Sequence, residues 1–379
     1  MTGTASPTTR PSSRTAPTVK AVGSKVLVAM SGGVDSSVAA LLLKRQGYYC
    51  AGCTMRLYDN QEAGISSHRT CCSLDDVEDA RAAAFRLEIP YYVFNFKDAF
   101  RTAVMEKFAA GYESGLTPNP CIDCNRHLKF GILLDRARVL GFNYLATGHY
   151  ARIEQRGGRY VLKKALDPAK DQSYFLYSMT QDQLAHTLFP LGGLRKAQVR
   201  QIAQDEGLLN AEKPDSQDIC FAPDGDYAAA VERVSGRASV PGNFVDADGK
   251  VLGTHRGVIH YTIGQRRGLG VSAPERLYVR AISAKDNTVT LGTKDTLLRA
   301  WIGVGAFYWI SGEVPNIPFR CGVKLRSTQK ELPVIVFPAG LNRVRVVFDE
   351  PQPVPAPGQA AVLYDGDTVL GGGVILPSD

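Results

Sequence analysis

The 379-residue chain has no apolar run near the roughly 20 residues of a membrane span, and its first residues lack the apolar block of a secretory signal. Both absences lead to the expectation of a soluble, cytoplasmic protein with no membrane partner. Cysteine is sparse too. Eight in 379 residues are too few for a disulfide scaffold, so in a reducing compartment each thiol needs its own account: core packing, metal binding or sulfur chemistry. There is no internal repeat, and no Gly-x-x-x-x-Gly-Lys-[Ser/Thr] sequence, which excludes the ordinary phosphate loop of phosphoryl-transfer enzymes. Neither sign of charge dominates. The 44 Lys plus Arg against 37 Asp plus Glu leave +7, which permits a polyanionic partner without demonstrating one. At roughly 100–200 residues per domain, the length points to two or three domains.

Residues 2–20 contain no acid and no periodicity, and read as a solvated, disordered tail; the same composition also fits a plant-type transit peptide. From Lys25 the pattern is α/β. An apolar run, Val26 to Met30, meets a Gly/Ser turn and then a helical segment to Gly47; a second strand spans Tyr49 to Leu57. Ser73 opens a capping box for a helix ending near Leu87, and Tyr91 to Phe96 reads as a strand. Residues 98–112 and 127–140 look helical, with a short buried strand from Phe142 to Thr147. This alternation predicts a doubly wound parallel sheet. Helices are expected to continue to about Val234, notably Lys196 to Gly207. Beyond Pro241 the texture becomes β: Leu277 to Ile282, a turn at Asp286-Asn287, Val289 to Leu291, then Asn342 to Phe348, Ala360 to Tyr364, and Val369 onward after an Asp365-Gly366 turn. The last 140 or so residues are therefore expected to form one or two small barrels or sheets.

Ser31-Gly32-Gly33-Val34-Asp35-Ser36-Ser37 lies between a buried strand and a helix N-terminus, where backbone N–H groups and the helix dipole hold a phosphate well. The glycines let an anion approach, the hydroxyls of Ser31, Ser36 and Ser37 offer donors, and Asp35 offers a carboxylate to the Mg²⁺ that accompanies a nucleotide. The bland alternative is a turn that merely caps a helix.

The cysteines narrow the chemistry. Thr117-Pro118-Asn119-Pro120-Cys121-Ile122-Asp123-Cys124 delivers a Cys-x-x-Cys ahead of a helix, and Arg126, His127 and Lys129 with the helix N-terminus are expected to lower the Cys124 thiol pKa. Half of a structural zinc knuckle is the competing reading. Cys50 and Cys53 fall in a strand, where residues three apart face opposite sides, and read as packing thiols. Cys71 and Cys72 are ambiguous, Cys321 reads as core, and Cys220 taken alone reads as a buried thiol.

The loop at 31–37 resembles that of the PP-loop pyrophosphatases, which split ATP into AMP and pyrophosphate. Together with Thr-Pro-Asn-Pro-x-x-x-Cys-Asn at 117–125, Ala-Thr-Gly-His-Tyr at 146–150, Lys-Asp-Gln-Ser-Tyr-Phe-Leu-Tyr at 170–177 and Asp-Ser-x-x-Ile-Cys-Phe at 215–221, it makes the chain resemble the tRNA-specific 2-thiouridylase family. Gly-Gln-Arg-Arg-Gly-Leu-Gly at 264–270 and the ending Leu-Gly-Gly-Gly-Val-Ile extend the likeness from about residue 22 to the C-terminus. The resemblance implies a tail at 1–21, an ATP-binding catalytic domain at 22–225, a β-rich central domain at 226–300 and a C-terminal β-barrel at 301–379. It places Ala29, Met30, Ser31, Gly32, Gly33, Val34, Asp35, Ser36, Met55 and Gly148 at ATP. It makes Cys124 the nucleophile and Cys220 the carrier of a persulfide, the two closing a transient disulfide. It sets Asn119, Pro120 and Cys121 at the target base, and His149, Lys170, Asp171, Gln172, Arg326, Ser327 and Gln359 at tRNA.

The implied reaction adenylates C2–O of the wobble uridine in the anticodon arm of Lys-, Glu- or Gln-type tRNAs. Sulfur then follows from a cysteine desulfurase or relay protein. The Arg266-Arg267 pair suits a backbone phosphate but acquires no role. Some family members carry Asp where this chain has Cys121, so a second reading lets Cys121, Cys124 and Cys220 hold a [4Fe–4S] cluster for the same thiolation. From other classes come a PP-loop small-molecule amidotransferase or ligase, which needs neither paired cysteines nor a β-rich end, and a non-catalytic RNA-binding adaptor.

Overall fold

A computed structural model describes residues 23–59, 74–208, 210–214, 218–353 and 356–377. The expected tail at 1–21, Cys71, Cys72, the Ser73 cap, and Asp215, Ser216 and Gln217 of the fifth motif lie outside the described residues.

The first seven strands are β1 (Lys25–Ala29), β2 (Tyr49–Arg56), β3 (Tyr91–Asn95), β4 (Tyr144–Thr147), β5 (Ala151–Arg156), β6 (Arg159–Lys164) and β7 (Thr187–Leu188). Five of them form a parallel sheet in the order β3-β2-β1-β4-β7. Alternation along β1 feeds two cores, as a doubly wound sheet requires. Val26 and Val28 pack with Val38 and Leu41 of the Val34–Arg45 helix, and Leu27 packs on the opposite face with Phe108, Leu128 and Phe221. The helix ends with Lys44 and Arg45, cations that suit its C-terminal dipole. Two helical stretches, 97–113 and 120–139, cover the Leu27 face, and both widen into π-helix, at Arg101–Glu106 and Cys124–Leu133. Wide turns of this kind recur at functional sites.

The remaining strands are β8 (Gly242–Val245), β9 (Val251–His255), β10 (Tyr278–Ser283), β11 (Thr288–Gly292), β12 (Leu298–Trp309), β13 (Phe319–Lys324), β14 (Leu332–Pro338), β15 (Val344–Pro353), β16 (Ala360–Asp365) and β17 (Thr368–Ile375). The first four make a sheet ordered β10-β11-β8-β9. Its β10–β11 turn is where the Asp286-Asn287 signal put it, with Asn287 at φ 48°. Strands β12 to β17 close into an antiparallel barrel because β12 pairs with both β15 and β17. Val304, Val334, Val336, Val346 and Leu363 fill its interior.

The expectation of helices through to Val234 fails at residues 151–164. There β5 and β6 form a hairpin around Gly157 and Gly158, at φ 56° and 82°, and β6 adds to the barrel sheet at Thr368. Gly-Gly between alternating residues is a hairpin signal, and a helical reading passes over it. Buried Lys163 secures the junction, 3.0 Å from Glu154 and 2.9 Å from Asp367. A piece of the first domain is thus built into the last.

Candidate functional site

The loop at 31–37 begins where β1 is pinned: Met30 N–H donates to the Cys53 carbonyl at 2.7 Å, and the Met30 carbonyl accepts from Thr54 Oγ1 at 2.6 Å. Gly32 then adopts φ 75°, and a Cβ there would lie 2.5 Å from the Asp76 carbonyl oxygen, so no larger residue fits. Gly33 is the N-cap of the Val34–Arg45 helix with no side-chain cap, which leaves the N–H groups of its first turn available to an anion. Gly148, just past β4, packs so closely on this turn that a Cβ would be 2.9 Å from Ser36 N. Ala29 and Met55 are half-buried on the Leu27 side of the sheet.

Two expectations about the loop change. Ser36 Oγ donates to the Gly33 carbonyl at 3.0 Å and accepts from Ser31 N–H, while Ser37 Oγ donates to the same carbonyl at 3.3 Å and accepts from Asn210. These hydroxyls shape the loop, which leaves exposed Ser31 as the hydroxyl facing outward. Asp35 presents both carboxylate oxygens to Lys196 Nζ at 2.8 Å and accepts from Tyr150 OH at 2.8 Å. A donor set already holding an ammonium does not fit a dication, so Asp35 is not suited to Mg²⁺ here and no step runs through that ion.

The sequence reading missed Asn210, Lys196 and Tyr150 as loop residues. Asn210 Nδ2 donates to the Gly32 carbonyl at 3.0 Å and to Ser37 Oγ at 2.9 Å, and Lys213 Nζ bridges Asp76 and Asp79 at 2.6 Å each. Tyr150 ends the Ala-Thr-Gly-His-Tyr motif, which marked the stretch without a role for its tyrosine; Asn210 in a loop and Lys196 at a helix start carry no motif that could mark them.

Cys121 and Cys124 lie in the first turns of the 120–139 stretch, whose N-cap is Asn119: its Oδ1 accepts from Cys121 N–H at 3.2 Å, with Pro120 in the first helical position. Cys121 is exposed and Cys124 half-buried, both as thiols. The expected lowering of the Cys124 pKa is reversed. Burial pushes the thiol up, Lys129 only partly offsets this, and Asp123 adds to the rise. His127 does not help, because burial lowers its own pKa and leaves it neutral near pH 7. Cys124 also lies beyond the first turn, where the helix dipole has faded.

Cys220 is half-buried in a short turn whose carbonyl accepts from Tyr58 OH at 2.7 Å. Phe221 anchors that turn by edge-on contacts with Phe100 and Phe108, at 5.8 and 5.2 Å between centroids. Cys124, Ile219, Cys220, Ala29 and Met55 all border one core. Tyr227 OH donates to Asp218 at 2.7 Å, two residues before Cys220. Nearly 100 residues apart in the chain, Cys124 and Cys220 thus both pack against that core. Cys50 and Cys53 do face opposite cores, with burial pushing Cys50 up to about 11, and Cys321 packs on the barrel interior with its thiol pushed up to about 12.

The expected tRNA positions fall into four groups. Gln359 Nε2 donates to the Thr117 carbonyl at 2.7 Å, and Thr117 N–H donates to the Pro357 carbonyl at 2.8 Å, so the barrel braces the loop that presents Asn119 to Cys121. His149 is buried, hydrogen-bonded to Thr147 Oγ1 at 2.7 Å and ringed by Phe130 and Phe189; burial holds its pKa well below the usual value, so it is neutral. Asp171 turns inward to Ala165 N–H, Ser173 N–H and Ser173 Oγ, and Gln172 Oε1 accepts from Tyr150 N–H. Half-buried Lys170 adjoins them. Arg326 is exposed and Ser327 half-buried; Arg326 lines a 420 Å³ cleft with Gly264, Tyr278, Lys294 and Gln329, and Arg266 and Arg267 are exposed nearby in sequence to Gly264.

Among the described residues no three His, Cys, Asp or Glu side chains gather as a metal site, so Cys121, Cys124 and Cys220 are not arranged as cluster ligands and no step is routed through iron. Among the same residues, no helix is long and apolar enough to cross a membrane.

Three family models match successive parts of the chain: the tRNA methyl transferase HUP domain over residues 24–224, the tRNA methyl transferase PRC-barrel domain over 231–293 and the aminomethyltransferase beta-barrel domain over 300–375. Among curated proteins, the chain is 49% identical over 356 residues to the tRNA-specific 2-thiouridylase MnmA of Geotalea uraniireducens, covering 93% of this chain and 94% of that protein. It is 48% identical over 354 residues to the protein of the same name from Acetivibrio thermocellus, covering 93% and 99%. The model descriptions speak of methyl transfer, whereas the relatives matched over nearly their whole length are thiouridylases.

Proposed function

Because the chain belongs to the tRNA-specific 2-thiouridylase family, we propose that it is a tRNA-uridine 2-sulfurtransferase that uses ATP to convert the wobble uridine of tRNA to 2-thiouridine. The observation that supports this reading is that Cys124 and Cys220 pack against the same core as Ala29, which precedes the loop, and Met55. A small-molecule ligase with this loop has no use for paired cysteines.

The chemistry follows from the groups present. The loop holds the triphosphate, and uridine O2 attacks the α-phosphorus, releasing pyrophosphate and turning O2 into a leaving group as AMP. The base leaves the anticodon stack to reach a site beside Asn119, Pro120 and Cys121. A cysteine desulfurase or relay protein loads Cys220 as Cys–S–SH. The terminal sulfur attacks C2 and expels AMP, and the Cys124 thiolate then attacks the Cys220 sulfur. The S–S bond between Cys220 and the transferred sulfur breaks, its electron pair leaves with the sulfur on C2 as 2-thiouridine, and a Cys124–Cys220 disulfide forms. Two electrons from an external dithiol restore both thiols. Neutral, buried His149 orders the corner after β4 and does not serve as a phosphate contact. Gln359, through Thr117, sets the base-contacting loop. The assignments 22–225 as catalytic domain and 226–300 and 301–379 as the domains that grip the anticodon arm complete the proposal, with a cytoplasmic location.

Nucleoside mass analysis of tRNA after incubation with ATP and a persulfide donor tests it. We expect 2-thiouridine from the wild type and none from Cys124→Ser or Cys220→Ser. Normal product from both variants sinks the mechanism, and absence of product from the wild type sinks the function.

A further inference from the structure

Asp35 is an acid in the first turn of the helix that must receive a polyanion, a position that helps the helix but opposes its ligand. We propose that Lys196 is a positioning residue of the ATP site, whose ammonium neutralises Asp35 and holds it against Tyr150 so that the loop can accept the triphosphate. This rests on reading residues 31–37 as the ATP loop.

The geometry is specific. Lys196 Nζ is 2.8 Å from each Asp35 oxygen, and its side chain is only 11% exposed. Its backbone is fixed as the first residue of the Lys196–Asp205 helix: Lys196 N–H donates to Asp167 Oδ2 at 2.9 Å, and Arg195 N–H donates to Gln198 Oε1 at 2.8 Å. Tyr150, 2% exposed, adds its hydroxyl to Asp35 at 2.8 Å. The Tyr150 main chain is bonded in both directions to Gln172, N–H to Oε1 and carbonyl from Gln172 N–H, each at 2.9 Å. Gly148 meanwhile packs against the Asp35 and Ser36 backbone. An ammonium on a long flexible side chain would ordinarily be in water; here it is enclosed against the Asp35 carboxylate. Without Lys196 that carboxylate keeps its full charge beside the phosphates in a poorly screened site.

Calorimetric titration of the full chain with ATP alone, at fixed Mg²⁺ and without tRNA, reads the effect. Lys196→Met weakens ATP binding at least about tenfold, a conservative figure for one uncompensated charge near a polyanion. Lys196→Arg keeps most of the affinity. The double variant Asp35→Asn/Lys196→Met recovers to within about threefold of the wild type, because both charges are gone; a purely structural lysine would show no such rescue. Asp35→Asn alone binds ATP as well as or better than the wild type, which keeps the proposal testable even if Lys196→Met fails to fold. Wild-type affinity in a folded Lys196→Met, no rescue in the double variant, or a tenfold loss in Asp35→Asn overturns it. A wild type that binds ATP but makes no 2-thiouridine removes the proposed function and leaves this assignment standing, whereas a wild type that binds no ATP removes both.

Discussion

Gly148→Ala is the smallest change that tests how the phosphate loop is held. An added Cβ would stand 2.9 Å from Ser36 N, 3.0 Å from Asp35 C and 3.1 Å from Asp35 Cβ, all of them atoms of the helix's first turn and none the far end of a flexible side chain. Ordinary carbon contacts lie at about 3.5–4.0 Å, so the turn must move by roughly half an ångström or more. Overpacking of this kind costs about 1–3 kcal/mol. If ATP binding needs the first-turn N–H groups where they are, the cost falls on the bound state, and at about 1.4 kcal/mol per decade the affinity drops roughly 5- to 100-fold. Gly33→Ala is the control. Its nearest protein atom would be Ser31 Oγ at 3.6 Å, an ordinary contact, so its folding stability stays within about 0.5 kcal/mol of the wild type and any loss of ATP binding reports the anion's own approach. Calorimetry with ATP and denaturant melts of both variants decide the matter. A Gly148→Ala protein with wild-type affinity and stability refutes the reasoning.

Two further outcomes follow from charges in the resting protein. Because burial raises the Cys124 pKa against the pull of Lys129, alkylation of Cys124 in a Cys121→Ser/Cys220→Ser background keeps accelerating beyond about pH 8.5, and Lys129→Met slows it further near pH 7; a plateau below about pH 7.5 would contradict both. At the hairpin–barrel junction, burial pushes the Glu154 and Asp367 carboxyls up, but Lys163 with Arg156 and Arg152 outweighs it and holds both below their usual values. Their contribution is present above the unfolded pKa values and is lost as pH falls through the folded ones. Lys163→Met therefore lowers stability at neutral pH by about 1–3 kcal/mol, less than a fully buried pair because both carboxylates are partly exposed, and flattens the acid limb of the stability profile measured by urea melts; an unchanged acid limb would refute the assignment.

Several features were legible in the residues alone because they depend on neighbours in sequence. The strand–loop–helix at 25–45 needs only an apolar run, two glycines and a helical segment, and the structure places it as expected. The opposite-facing Cys50 and Cys53 follow from the two-residue period of a strand. The Thr-Pro-Asn-Pro loop caps its own helix through Asn119, two residues from the N–H it accepts. The hairpin at 151–164 is equally local, and its Gly-Gly turn is the signal that separates it from a helix.

What the sequence determined is the family and the order of an α/β part followed by β-rich parts, since motifs and periodicity are short-range properties of the chain. The tertiary structure decided the electrostatics and the joints. It turned an expected low-pKa Cys124 into a high one, because burial depends on what packs over a thiol and not on its neighbours in sequence. It committed Asp35 to Lys196, 161 positions away, and set Gln359 of the barrel on Thr117, 242 positions away. Contacts across such separations leave no local pattern, because only the folded chain brings the partners within hydrogen-bonding range.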